Sequence, residues 1–311
     1  MAQNVQILIK SENDMPYGLF GQTILWITEF LPTLDKYNMN LDDIFWDIKT
    51  EKYGSIFPNI LLFNNNTIIK DNINVTRFID MKNKLKLYTI GDDFNRINKL
   101  FFKYFSINKE LDDRSLNYIN SNDFLGLHYR GTDKNVDACT DNTHISKKEF
   151  VTIVEDYLEN NSNIKNIFIA SDESDIYYYF KDVYSNNYNI IKAQDYERNE
   201  SLFWHKRPDP EKNAQDAMID MLCLSKCKTV IKSSSALSAF AKVVNPSLEI
   251  YRVNACKMFS DVPYFPDAYI PLFKKSKNYS EYTNDILVKV QEDDWSFKHY
   301  DKFNNFFIKE R

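Results

Sequence analysis

The sequence predicts an α/β protein with a parallel, doubly wound sheet in its second half. Three observations carry this. Short apolar runs alternate with segments of helical periodicity from residue 124 to residue 252. The run Phe124-Leu125-Gly126-Leu127 turns abruptly into His128-Tyr129-Arg130-Gly131-Thr132-Asp133-Lys134, as a buried strand delivering polar groups to a cleft would. Near the start, a strand, a glycine loop (Tyr17-Gly18-Leu19-Phe20-Gly21-Gln22) and a helical pattern follow one another.

The elements follow in order. Val5 to Ile9 reads as a strand. After the glycine loop, Leu25, Ile27, Phe30 and Leu31 mark a helix from Thr23 to about Tyr37. Gly18 and Gly21 would let backbone amides approach an anion at that helix start, although a tight turn without a ligand explains them as well. The spacing fits neither a Walker A loop nor a dinucleotide fingerprint. Ile44 to Ile48 and Ile60 to Phe63 read as strands. Asp93 caps a helix over Phe94 to Phe105 whose core face is Ile97, Leu100, Phe101 and Tyr104. Residues 107 to 122, rich in Asn, Asp and Ser, read as a bridge to a second domain.

In the second half, a strand over Phe124 to Arg130 comes first. Ser146 and Glu149 form a capping box for a helix from Lys147 to about Asn160. Ile167 to Ala170 is a strand, and Ser171-Asp172-Glu173 opens the next helix. Asn189 to Lys192 is a strand, Gln194 to Lys212 a polar loop, and a helix runs from about Ala214 to Lys226. A strand over Thr229 to Ile231 leads to Ser233-Ser234-Ser235, which starts another helix. Leu248 to Arg252 is the last clear strand, and Tyr282 to Gln291 is predicted helical.

Length and composition narrow the function. The 311 residues suffice for two domains, and 43% hydrophobic and 15% aromatic content support sizeable cores. With 39 basic against 44 acidic residues the net charge is -5, so nucleic acid is not an expected partner and any phosphate site is local. No apolar run nears the ~20 residues of a membrane span, and the start lacks the pattern of a signal peptide. A cytoplasmic, soluble protein is expected. Four cysteines make no disulfide framework, and Cys223 and Cys227 read as small buried residues.

Three strands of the second half end in polar clusters: His128, Arg130, Asp133 and Lys134; Ser171 and Asp172; and Ser233, Ser234 and Ser235. Hydroxyls and free amides at a helix start suit a phosphate, and Arg130 offers a bidentate contact. Simple helix capping is the alternative for each serine. Asp220 sits in the apolar segment Ala217 to Leu224, where a carboxylate needs a partner or a solvated face. A carboxylate can accept the two parallel N–H bonds of the guanine edge.

Four of these stretches resemble the α1,6- and nodulation-fucosyltransferase group and the protein O-fucosyltransferases. His128-Tyr129-Arg130-Gly131-Thr132-Asp133-Lys134 is similar to the group's His-X-Arg-X-Thr-Asp-Lys motif, and Phe168 to Asp172 to its second. Asp220 to Ser225 with Val230 to Ala236 resembles the third, and Gly18 to Gln22 the N-terminal glycine loop. Order and spacing match across most of the chain. The α1,6 group has a second arginine where this chain has Gly131, and Ala236-Leu237 stands where the third motif usually has Ser-Gln.

The resemblance implies a GT-B fold, two Rossmann-like domains facing a cleft. Residues 1–115 would be the acceptor-side domain, 116–275 the nucleotide-sugar domain, and 276–311 a helical segment returning to the first. It implies inverting, metal-independent sugar transfer, from GDP-fucose to a glycan hydroxyl, with no cofactor. His128 and Asp220 would contact guanine. Arg130, Ser234 and Ser235 would bind the diphosphate, Gly21 and Gln22 would approach it, and Asp172 would support the donor site. Lys134 would assist Arg130 in catalysis, and Asp137 is the candidate general base. Transfer from GDP-mannose or a UDP-sugar, and a non-catalytic binding module of the same fold, are the alternatives.

Overall fold

A computed structural model of the chain describes residues 7–11, 19–20, 23, 44–50, 54–55, 60–63, 77–79, 93–131, 145–193, 209–233, 235–253, 270 and 273. The chain divides into two compact units, Met1–Arg114 with Trp204–Ile219, and Ser115–Phe203 with Asp220–Arg311.

In the first unit, β1 (Ile7–Ser11), β2 (Ile44–Thr50), β3 (Gly54–Ser55), β4 (Leu61–Phe63) and β5 (Arg77–Ile79) precede α1 (Phe94–Tyr104) and β6 (Phe105–Ile107). One sheet has the order β3-β2-β1-β5, with β1 parallel to both β2 and β5 and β3 antiparallel to β2. β4 and β6 form a separate antiparallel pair. The Asp93 carboxylate accepts the Arg96 amide at 3.0 Å, and Ile97, Leu100, Phe101 and Tyr104 are buried, as the sequence predicts.

Two expectations need correction here. Leu19 and Phe20 are already helical, ahead of the predicted start at Thr23, and the Thr23 hydroxyl donates to the Leu19 carbonyl at 2.8 Å. Helix therefore winds inside the segment read as a glycine loop. Residues 107 to 122 are not simply a bridge, because α2 (Lys109–Leu116) forms there. The Asn108 side chain accepts the Glu110 amide at 2.9 Å, and Lys109 pairs with Asp113 at 2.7 Å. Its buried face is only Leu111 and Ser115, so no apolar stripe announces it.

The second unit holds β7 (Phe124–Tyr129), α3 (Lys147–Asn160), β8 (Asn166–Ser171), α4 (Ser174–Tyr184), β9 (Asn189–Ile191), part of α5 (Pro210–Lys226), β10 (Thr229–Lys232), α6 (Ala236–Val244) and β11 (Glu249–Arg252). Its strand pairs among the described residues are parallel, in the order β11-β10-β7-β8-β9. This is the doubly wound arrangement the alternation predicts, and its strand order reverses between β7 and β10. The Ser146–Glu149 capping box of α3 is present, with the Ser146 amide on the Glu149 carboxylate at 2.8 Å. α5 starts earlier than predicted, because Asp209 accepts the Lys212 amide at 2.9 Å and Pro210 occupies the first helical position.

The two faces of β7 are distinct. Leu125, Leu127 and Tyr129 join Ile167, Ile169 and Ile231 against Phe150, Ile153 and Val154 of α3 and Ile176, Tyr179 and Phe180 of α4. The alternate position, Gly126, faces the other layer. A Cβ there would meet Val230 Cγ2 at 2.9 Å and Cys227 Sγ and Leu224 Cδ2 at 3.0 Å. α5 therefore rests directly on the β7 backbone. Gly126→Ala is expected to destabilise the protein by about 1–3 kcal/mol through overpacking, read from a urea midpoint. Cys223 and Cys227 are buried, as predicted, and burial pushes both thiols well up and leaves them unreactive. Among the described residues no helix is long and apolar enough to cross a membrane. The segment predicted helical at Tyr282 to Gln291 lies outside the described residues.

Candidate functional site

The face of β7 that takes Gly126 continues through His128 to Arg130, at the carboxyl end of the strand. In the neighbouring β10, Val230 pairs in register with Gly126 and Lys232 with His128. Ligands of open α/β sheets bind past the carboxyl ends of the strands where the order reverses, which here is this pair. The strand reaches one residue beyond the predicted Ile231, and that residue is the fully buried Lys232.

His128 is 5% exposed, and its Nδ1 is buried with no hydrogen-bond partner among the described residues. Burial, then the charges of Lys232 and Arg130, push its pKa well below the ordinary value. The imidazole is neutral at physiological pH and offers one donor and one acceptor.

Asp220 is buried in α5. It lies one turn before Leu224, the residue that packs on Gly126, and so on the same helix face. α5 leads into the start of β10 and runs back against the strands. Asp220, one turn before Leu224, therefore lies toward the carboxyl end of β7, the end where His128 sits. The sequence reading of Asp220 as solvent-facing is excluded.

The three serines divide their roles. Ser233 continues the ladder: its amide donates to the His128 carbonyl at 2.9 Å, and its hydroxyl accepts the Arg130 amide at 2.9 Å. Ser233 thus anchors the end of β7, contrary to a role in an anion-binding trio. Ser235 is the residue before α6, with extended backbone and no side-chain cap bond. Its Oγ is buried without a partner among the described residues. The Ala239 amide takes the Ser235 carbonyl at 3.1 Å, so Ala236, Leu237 and Ser238 present amides with no intrahelical acceptor. A capping role for the Ser235 hydroxyl is therefore not what the structure shows.

On the other flank, Asp172 Oδ1 accepts the Gly131 amide at 2.8 Å. The Ser171 hydroxyl donates to the Tyr129 carbonyl at 2.9 Å and accepts the Glu173 amide at 3.0 Å. Arg130 is half-buried between these anchors. Glu173 was legible only as part of a helix start, yet it is ion-paired with Lys147 at 2.5 Å, and Lys147 also binds Asp175. Burial pushes the Glu173 carboxyl up to about 7 against the pull of Lys147, with Asp175 and Asp172 pushing further. Burial works to lower the Lys147 pKa, but Asp175 and Glu173 outweigh it and raise it.

Glu173 makes stability depend on pH with a definite sign. Its native pKa lies above the ordinary 4.5, so the native state holds this proton more tightly. The resulting stabilisation is full below pH 4.5 and is lost as pH rises through about 7. Thermal midpoints of wild type and Glu173→Gln, scanned across that window, are expected to show the wild type losing ground to the variant as pH increases.

His128, Arg130, Lys232, Ser235 and the start of α6 gather at one end of the β7–β10 pair, with Asp220 on the helix above. Gly21, Gln22, Lys134, Asp137 and Ser234 lie outside the described residues. Among the described residues no three His, Cys, Asp or Glu side chains group as a metal site would.

No protein-family model matches the chain, and no curated protein matches it. Solved structures do. NodZ alpha-1,6-fucosyltransferase soaked with GDP-fucose is 12% identical, with a TM-score of 0.44 over 78% of this chain and 93% of that one. Fucosyltransferase NodZ from Bradyrhizobium is 12% identical, with a TM-score of 0.44 over 78% and 94%. POFUT1 in complex with GDP-fucose is 13% identical, with a TM-score of 0.35 over 79% and 73%.

Proposed function

We propose that the protein is a GT-B glycosyltransferase that moves a sugar, fucose from GDP-fucose, to a glycan hydroxyl. The observation that carries this reading is the convergence at the β7–β10 switch point. A buried neutral imidazole, two cationic side chains, and a helix start with a buried hydroxyl and amides that have no intrahelical acceptor meet there. That set suits a nucleoside diphosphate: polar groups for a base, cations and amides for phosphate. The motifs of the sequence resemble the fucosyltransferase group at these same residues.

In this reading Asp220 accepts the two N–H groups of the guanine edge and His128 supplies a further contact. Arg130, Ser234, Ser235 and the α6 amides hold the diphosphate. The acceptor oxygen attacks the anomeric carbon on the face opposite GDP. The new C–O bond forms as the bond to the β-phosphate breaks, which inverts the configuration. The bonding electrons leave with GDP, and Arg130 and α6 stabilise the charge that develops there. In this reading these fixed positive groups take the part a divalent cation plays in other sugar transferases, and the reaction is metal-independent. Asp137 is the proposed base that takes the acceptor proton, with Lys134 assisting at the phosphate. Asp172 acts through the backbone, by holding Gly131.

A thermal-shift panel in EDTA tests this with GDP, GDP-fucose, GDP-mannose, UDP and UDP-glucose. A ligand at 100 times its dissociation constant stabilises the native state by ~2.7 kcal/mol. Selective stabilisation by GDP and GDP-fucose is the expected result. A response only to UDP compounds contradicts the role of Asp220, and no response to any nucleotide contradicts the donor assignment.

A further inference from the structure

The turn that follows β7 is held from several directions. The Arg130 amide is bonded to Ser233 and the Gly131 amide to Asp172. The remaining side of Gly131 is filled by Glu173. A Cβ at position 131 would meet Glu173 Cδ at 2.6 Å and the Tyr129 ring at 2.8 Å, and would collide with Glu173 Oε1. Glu173 is only 12% exposed, and it is kept in place by Lys147 at the start of α3. Among the described residues the groups facing it are Lys147 from α3, Asp175 from α4, Asp172 after β8, and the Tyr129 ring from β7.

A carboxylate packed on a glycine backbone does two things. It leaves no volume for a side chain at 131, and it restricts rotation of the peptide that follows Arg130. We propose that Glu173 is a positioning residue for the anion site, its Lys147-held carboxylate locking Gly131 and so fixing the direction in which Arg130 reaches a diphosphate. This rests on the donor reading, in which Arg130 binds that group. A charge consequence follows from the same geometry. An incoming diphosphate adds negative charge near a carboxyl that already titrates at about 7, with Asp172 and Asp175 beside it and Lys147 offsetting them. Protonated Glu173 accommodates the anion better, so affinity falls as pH rises through this range.

The test is calorimetric titration of the protein with GDP-fucose between pH 6 and 8.5. Both phosphates of this ligand are esterified and do not titrate there. Wild-type affinity is expected to weaken several-fold across the range, and Glu173→Gln to bind with a flat profile. Glu173→Ala is expected to lose about tenfold at every pH. Gly131→Ala is expected to lose about 100-fold, and Gly131→Ala/Glu173→Ala to recover at least tenfold of that. A double variant no better than Gly131→Ala, or a wild-type pH profile retained in Glu173→Gln, overturns the inference. Hydrogen exchange at the Gly131 amide supplies a readout that needs no ligand. If wild type binds no GDP-fucose but this amide loses protection in Glu173→Ala and keeps it in Glu173→Gln, the lock stands and the donor reading falls. Unchanged protection in Glu173→Ala removes the lock itself.

Discussion

Arg130→Ala is expected to lower sugar transfer by roughly 10²–10³-fold, the usual cost of removing one preorganised group from a developing charge. The loss falls on kcat as well as on donor binding, because the β-phosphate gains charge only as the glycosidic bond breaks. The fold is expected to persist, because the Arg130 amide is held by Ser233 and alanine keeps that bond. Arg130→Lys is expected to restore only part of the activity, since an ammonium cannot reproduce the planar two-point contact. Steady-state kinetics with GDP-fucose, with urea midpoints as a folding control, check this. An alanine variant with full kcat removes Arg130 from the reaction.

Asp220→Asn is expected to erase the preference for guanine. A carboxylate offers two acceptors to the N1–H and amino group, whereas an amide offers one acceptor and one donor. The donor then faces a donor. Hydrogen bonds to charged groups contribute about 1.5–3 kcal/mol each, so selectivity for GDP over a UDP or IDP competitor should fall by at least roughly tenfold. Competition binding with GDP, IDP and UDP reads this directly. IDP lacks the amino group, so it isolates one of the two bonds. Wild type that does not distinguish GDP from IDP would assign Asp220 to structure, as a buried residue of α5.

Much of the second unit was legible because its local signals agree with one another. Phe124 to Tyr129 alternates between a helix-packed face and a face that ends in polar groups, and Ser146 with Glu149 forms the box its spacing announces. α2 was missed because its buried face is one leucine and one serine, and its stability comes from Asn108 and a surface ion pair. The early start of α5 is hidden by the polar run from Gln194 to Lys212, inside which Asp209-Pro210 opens the helix. Among site residues, Arg130, His128 and Asp220 stood out by charge against apolar surroundings. Lys232 carries the same signal, a charge in phase with Val230 on a buried strand, and was lost by ending the strand one residue early. Glu173 gave no such sign. Its importance comes from contact with Gly131 and Lys147, residues 42 and 26 positions away, which only tertiary structure brings together.

Hydrogen–deuterium exchange with and without GDP, in EDTA, addresses the central assignment most directly. Ala236, Leu237 and Ser238 present amides with no intrahelical acceptor. Without a ligand these amides exchange quickly. A diphosphate seated on α6 gives them acceptors, so peptides covering 233–239 should gain protection together with those covering 128–131. Protection confined to other segments, such as the polar pocket at the strands' amino ends lined by Asn117, Asn166 and Asn189, would contradict the account.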